Sequence, residues 1–147
     1  MSASRRIPVG LALMAVVALG VAPGASAGGR PFTTELTGEA EVTAAGVPNQ
    51  GDPDGVGTAE LTINPGLGEV CWSIEVSGVA PILAAHIHVA PSTLPGPVVV
   101  PLNPYTGGCT TVDPEVTRAI VKDPSAYYVN VHNADYPAGA LRGQLDR

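Results

Sequence analysis

Positive charge is scarce in this chain. Among 147 residues only seven are Lys or Arg, and Lys122 is the single lysine, against thirteen Asp and Glu. A surface of that balance is repelled by phosphate backbones and by anionic lipid, which disfavours a role in binding nucleic acid or a membrane surface. Cysteine is scarcer still, with Cys71 and Cys109 the only two, too few for a thiolate metal cluster. No serine sits in a Gly-x-Ser-x-Gly elbow, and neither a phosphate-binding loop nor a dinucleotide glycine pattern occurs. Serine hydrolysis and nucleotide chemistry therefore have no visible machinery. Glu39 and Glu41 stand two apart as if on one strand face, the ordinary pattern of a solvated face.

Long apolar runs are also missing, with one exception. Residues 1–27 read as a secretory signal peptide: Arg5 and Arg6 supply the charged start, residues 7–22 are apolar, and Ala25, Ser26 and Ala27 are small residues at the cleavage positions. An apolar stretch of that length, containing Pro8, is short for the ~20 residues of a membrane span. Cleavage after Ala27 leaves residues 28–147 as one domain, with five basic residues against thirteen acidic ones. The expected location is secreted and extracellular, with no membrane attachment after cleavage. In an oxidising compartment Cys71 and Cys109 are expected to form a disulfide.

What the chain has in abundance is punctuation, 18 Gly and 15 Pro, between short alternating segments. In residues 32–42, Phe32, Leu36, Ala40 and Val42 share one parity while Thr33, Glu35, Glu39 and Glu41 share the other, the mark of a half-buried strand. Residues 44–57 are loop, with Asp52-Pro53-Asp54-Gly55 a turn. Ala59, Leu61 and Ile63, then Val70, Trp72, Ile74 and Val76, flank the Asn64-Pro65-Gly66-Leu67-Gly68 turn and predict a hairpin. Cys71 has the opposite parity to Trp72, so its disulfide is expected to tie the Gly107-Gly108-Cys109 loop to a sheet face. Further strands are expected at 84–89, 98–102, 126–132 and 140–145, with one short helix at 113–122 capped by Asp113 and opened by Pro114. The pattern predicts an all-β fold, an antiparallel Greek-key sandwich or barrel with one short helix.

All three histidines lie on strand candidates. His86 and His88, at i and i+2, share one face, and His132 has the parity of Tyr128 and Asn130 on another strand. If those strands are near neighbours, three imidazoles converge into a site suited to copper, or less well zinc, with an open position. The alternative is that the histidines organise a cluster of loops by hydrogen bonding. Tyr105, Tyr127, Tyr128 and Tyr136 are candidates for an aromatic rim, and Tyr128, Asn130 and Arg142 for groups supporting the imidazoles. Arg142 is more simply a strand-end residue pairing with a carboxylate or with carbonyls.

These same segments resemble a known family. His86-Ile87-His88, Gly96-Pro97-Val98-Val99-Val100, Tyr128-Val129-Asn130-Val131-His132 and the ending Pro137-Ala138-Gly139-Ala140-Leu141-Arg142-Gly143-Gln144-Leu145 are similar to signature segments of the CHRD (chordin) domain. The likeness covers nearly all of residues 32–145. It implies an all-β, Greek-key-like domain, found alone in exported bacterial proteins and repeated in animal chordin. Two departures stand out: residues 90–95 replace the Gly-containing turn usual after His-x-His, and Ala140 stands where the family often carries Glu. A more distant likeness is to copper/zinc superoxide dismutase, which also carries His-x-His and a later strand histidine. No histidine remains here for that family's bridging ligand or its zinc ligands, so bimetallic chemistry is not supported. The expected function is binding, storage or delivery of one copper or zinc ion by His86, His88 and His132, with no catalytic residues. A metal-free module that binds an extracellular protein or matrix partner is the alternative, and a mononuclear copper oxidoreductase the third reading.

Overall fold

The computed structural model describes residues 28–146; the expected signal peptide lies outside the described residues. Eight strands follow in chain order: β1 (Arg30–Thr37), β2 (Val56–Asn64), β3 (Glu69–Ser77), β4 (Ala84–Val89), β5 (Val98–Pro101), β6 (Gly107–Thr111), β7 (Tyr127–His132) and β8 (Leu141–Gln144). They form one antiparallel sheet in the order β5-β4-β7-β8-β1-β2-β3-β6. The neighbours β4–β7 and β8–β1 are distant in sequence, the long-range returns expected of a Greek key. Among the described residues no helix is long and apolar enough to cross a membrane.

Local chemistry sets the elements. Leu61 pairs with Trp72 and Ile63 with Val70 across the predicted β2–β3 hairpin. Asn64 Oδ1 makes its turn by accepting from the Gly66 and Leu67 amides at 3.0 and 3.2 Å. Helix α1 (Pro114–Lys122) begins as expected, with Asp113 Oδ1 accepting from the Glu115 amide at 2.9 Å, and a single 3-10 turn (Pro124–Ala126) follows it.

One face of the sheet supplies the core: Phe32 and Leu36, Leu61 and Ile63, Val70 and Trp72, Ile87, Val129 and Val131, and Leu141 all join one buried cluster with Ile120 of α1. For one face of eight strands to bury itself, the sheet must curl into a half-barrel. The chain enforces this at the seam, because the edge strands β5 and β6 are joined by only five residues, 102–106. That connection is pinned to the strand inside each edge: Leu102 donates to Ala85 O at 2.9 Å, Trp72 Nε1 to Pro104 O at 3.0 Å, and the Ile74 amide to Thr106 O at 2.9 Å.

Three expectations change. The first strand ends at Thr37, five residues short of Val42, because the chain turns there: the Glu41 amide bonds Gly38 O and the Ala40 amide bonds Thr37 Oγ1. Gly107–Thr111 is a strand, not a loop. Cys71 and Cys109 are directly paired residues of β3 and β6, their sulfurs at disulfide distance, so the link is cross-strand and holds the sheet's edge.

Candidate metal centre

β4 and β7 are adjacent and antiparallel, with Ala84 opposite His132, His86 opposite Asn130 and His88 opposite Tyr128. Because β4 side chains alternate, Ala85 and Ile87 enter the core while His86 and His88 project from the outer face. On β7 the core takes Val129 and Val131, which sends Tyr128, Asn130 and His132 to the same outer face. His132 then lies diagonally across from His86, and the sheet brings all three imidazoles together.

One ring nitrogen from each histidine lies within 4.8 Å of those of the other two. His86 Nδ1 and His132 Nε2 are 3.2 Å apart, the spacing of two nitrogens at about 2.0–2.1 Å from a shared tetrahedral ion. The wider gap is to His88, whose ring centroid stands 6.2 Å from that of His132. Closing from nitrogens up to 4.8 Å apart onto one ion takes an inward movement of about 1.5 Å, chiefly by that ring.

Two of the three rings are anchored by a backbone carbonyl. His88 Nδ1 is 2.8 Å from Gly96 O and His132 Nδ1 is 3.1 Å from Pro137 O. A carbonyl only accepts, so each Nδ1 carries the proton and each Nε2 keeps its lone pair. His88 Nε2 is buried with no hydrogen-bond partner. His132 Nε2, by contrast, accepts from His86 Nδ1–H, a hydrogen bond that an ion between the two rings would replace; backbone anchoring of one imidazole nitrogen is how metal-ligating histidines are oriented. Burial pushes the pKa of all three below the usual histidine value, with their mutual repulsion adding to it for His88 and His132. The cluster is therefore neutral near pH 7, the form that ligates metal.

The outer face here is roofed. Tyr128 stacks on His88 with centroids 4.8 Å apart and planes 10° from parallel, and the Arg142 guanidinium lies 3.5 Å from the centroid of the same ring. Arg142 is only 1% exposed and donates to Pro91 O at 2.8 Å and Leu94 O at 3.1 Å. It thus takes the carbonyl-pairing role expected for it. Asn130 supports no imidazole directly; its Nδ2 donates to Glu41 Oε1. Tyr105 borders a cleft of about 270 Å³ beside His86 with Leu83, Pro101 and Asn103. Tyr127 packs against the core, and Tyr136 lies in the turn after His132, its amide bonding Asn133 Oδ1.

Glu41 is the residue that sequence reasoning missed. Its alternation with Glu39 places it on a solvated face, yet it is buried, and burial raises its pKa to about 7 against the opposing pull of Arg142. Its carboxyl lies against Gly139, where a Cβ would stand 2.6 Å from Glu41 Cδ and would push the Glu41 and Asn130 side chains aside. The only hint in sequence is Gly38, a turn former inside an otherwise continuous alternation.

A curled antiparallel half-barrel with a nitrogen-only ligand cluster under a loop roof defines a small all-β domain bearing a candidate metal centre. The family model of the CHRD domain matches residues 32–145, and the chain belongs to that family. No curated protein and no solved structure matches it.

Proposed function

We propose that this is an exported CHRD domain that binds one metal ion, copper in preference to zinc, through His86, His88 and His132. The observation that carries this reading is the unpartnered, buried His88 Nε2 facing two further imidazoles, with the Nδ1 protons of His88 and His132 held by carbonyls. An orphaned buried nitrogen has a cost that a bound ion would remove. Three uncharged nitrogens set no charge preference, so selectivity rests on the general order of nitrogen sites, in which copper leads the divalent first-row metals. The ligand set leaves a position open, and the role proposed for it is binding, storage or delivery.

The test is calorimetric titration of untagged protein with Cu(II), with Cu(I) under anaerobic conditions, and with Zn(II). One equivalent of copper is expected, lost in His86→Ala, His88→Ala and His132→Ala with the fold intact. Equal uptake by wild type and the triple variant would remove the site and leave the metal-free interaction module.

A further inference from the structure

The segment 90–97 between β4 and β5 contains Pro91, Pro95 and Pro97 and runs across the outer face as a strap. Its carbonyls and amides are held by side chains from two strands. Arg142 takes Pro91 O and Leu94 O, Gln144 Nε2 takes Ala90 O at 2.9 Å, and Tyr128 Oη accepts from the Gly96 amide at 3.1 Å. The same residue, Gly96, offers its carbonyl to His88 Nδ1. A Cβ at Gly96 would stand 1.9 Å from Val89 O, so the strap reaches this position only with glycine there.

Tyr128 therefore grips His88 twice. Its ring stacks on the imidazole directly, and its hydroxyl fixes the residue whose carbonyl holds the imidazole proton. Arg142, on the far face of the Tyr128 ring, keeps that ring from tilting away while anchoring the strap's other end. His88 is also the ring that must shift to close the ligand set, so whatever holds it governs how readily an ion is bound.

We propose that Tyr128 is the positioning residue of the imidazole cluster, holding His88 in place and in its Nδ1–H tautomer through the strap 90–97. This rests on the three-imidazole reading above, and its test separates the two. Tyr128→Phe keeps the stacked ring and deletes only the acceptor of the Gly96 amide; Tyr127→Phe, on the core side of the same strand, is the comparison. Nitrogen-15 NMR of the metal-free proteins reads the His88 tautomer, and competition titration with Cu(II) reads affinity.

Tyr128→Phe is expected to lose the Nδ1–H preference of His88 and to bind Cu(II) about tenfold more weakly, with a melting temperature near wild type, while Tyr127→Phe changes neither readout. Retention of the wild-type tautomer in Tyr128→Phe, or of wild-type affinity where wild type binds copper, overturns the proposal. Should Tyr128→Phe fail to fold, the wild-type protein decides alone. A coupling across the hydrogen bond from His88 Nδ1 to Gly96 C=O supports the proposal, and His88 in the Nε2–H form overturns it. Absence of copper uptake by wild type would defeat the metal reading, and the tautomer measurement would still judge this one.

Discussion

The outer face of the sheet has two halves with the same alternating sequence pattern and opposite fates. On β1, β2 and β3 the outward residues Thr33, Glu35, Thr58, Glu60, Ser73 and Glu75 are exposed, side by side in register. On β4, β7 and β8 the outward residues His88, Tyr128, Asn130 and Arg142 are as buried as core residues, at 9%, 3%, 2% and 1% exposure, while His86 and His132 are half-buried. The difference is what covers them. Connections around the first three strands leave that face bare, whereas the strap 90–97, the Glu41 segment and the turn after His132 close over the others. Polar side chains removed from water must find partners, and a face built that way becomes a set of fixed geometries where a solvated face remains adaptable.

The strongest single tie on the exposed half is covalent. Replacing Cys71 and Cys109 with Ser is expected to cost about 4 kcal/mol from the released chain entropy, read as a lower melting temperature with the imidazole cluster unchanged. Free-thiol titration of unreduced, denatured protein checks the premise; two reactive thiols per chain would contradict it.

On the buried half, Arg142→Met removes a guanidinium bonded to two carbonyls and stacked on Tyr128, and is expected to cost about 3 kcal/mol in denaturant unfolding. Glu60→Ala, equally polar in sequence but exposed, should change stability by less than about 0.5 kcal/mol. Similar losses at both positions would erase the comparison.

Within the buried half, two pH responses oppose each other. The folded protein holds the Glu41 proton to about pH 7, while the unfolded chain releases it near 4.5, so the folded state binds more protons between those values. Its contribution is therefore full at low pH and falls as pH rises through that window, by at most about 3 kcal/mol. The three histidines act in the other direction. Their folded pKa values lie below the usual 6.5, so the unfolded chain takes up protons first and stability is lost as pH falls below 6.5. Glu41→Gln keeps a neutral group at the site and should be the more stable protein at pH 8, the difference from wild type vanishing by pH 4. A constant difference across that range would show that Glu41 is ionised throughout.

Much of this molecule was legible before folding. Alternation gave the inward residues of β1, β2 and β3, Asp113-Pro114 gave the start of α1, and equal parity put His86 beside His88. Gly107–Thr111 escaped notice because two glycines, a cysteine and two threonines carry no apolar alternation; it is a strand because β3 offers it a free edge and Cys71 a partner. Glu41 escaped because period two assigns a parity but cannot say where a strand stops or which loops lie above it.

By itself the sequence determined the inside of the sheet, the helix cap and the pairing of two imidazoles on one strand, since each follows from backbone geometry over a few residues. Tertiary structure alone decided that β7 lies against β4, which brings His132 to 3.2 Å from His86, and that the polar face of those strands is roofed. The physical reason is that both outcomes depend on strand order and on contacts between residues 46 to 110 positions apart, such as His86 with His132, Glu41 with Asn130 and Thr34 with Gln144. No local rule of side-chain alternation carries information over that distance.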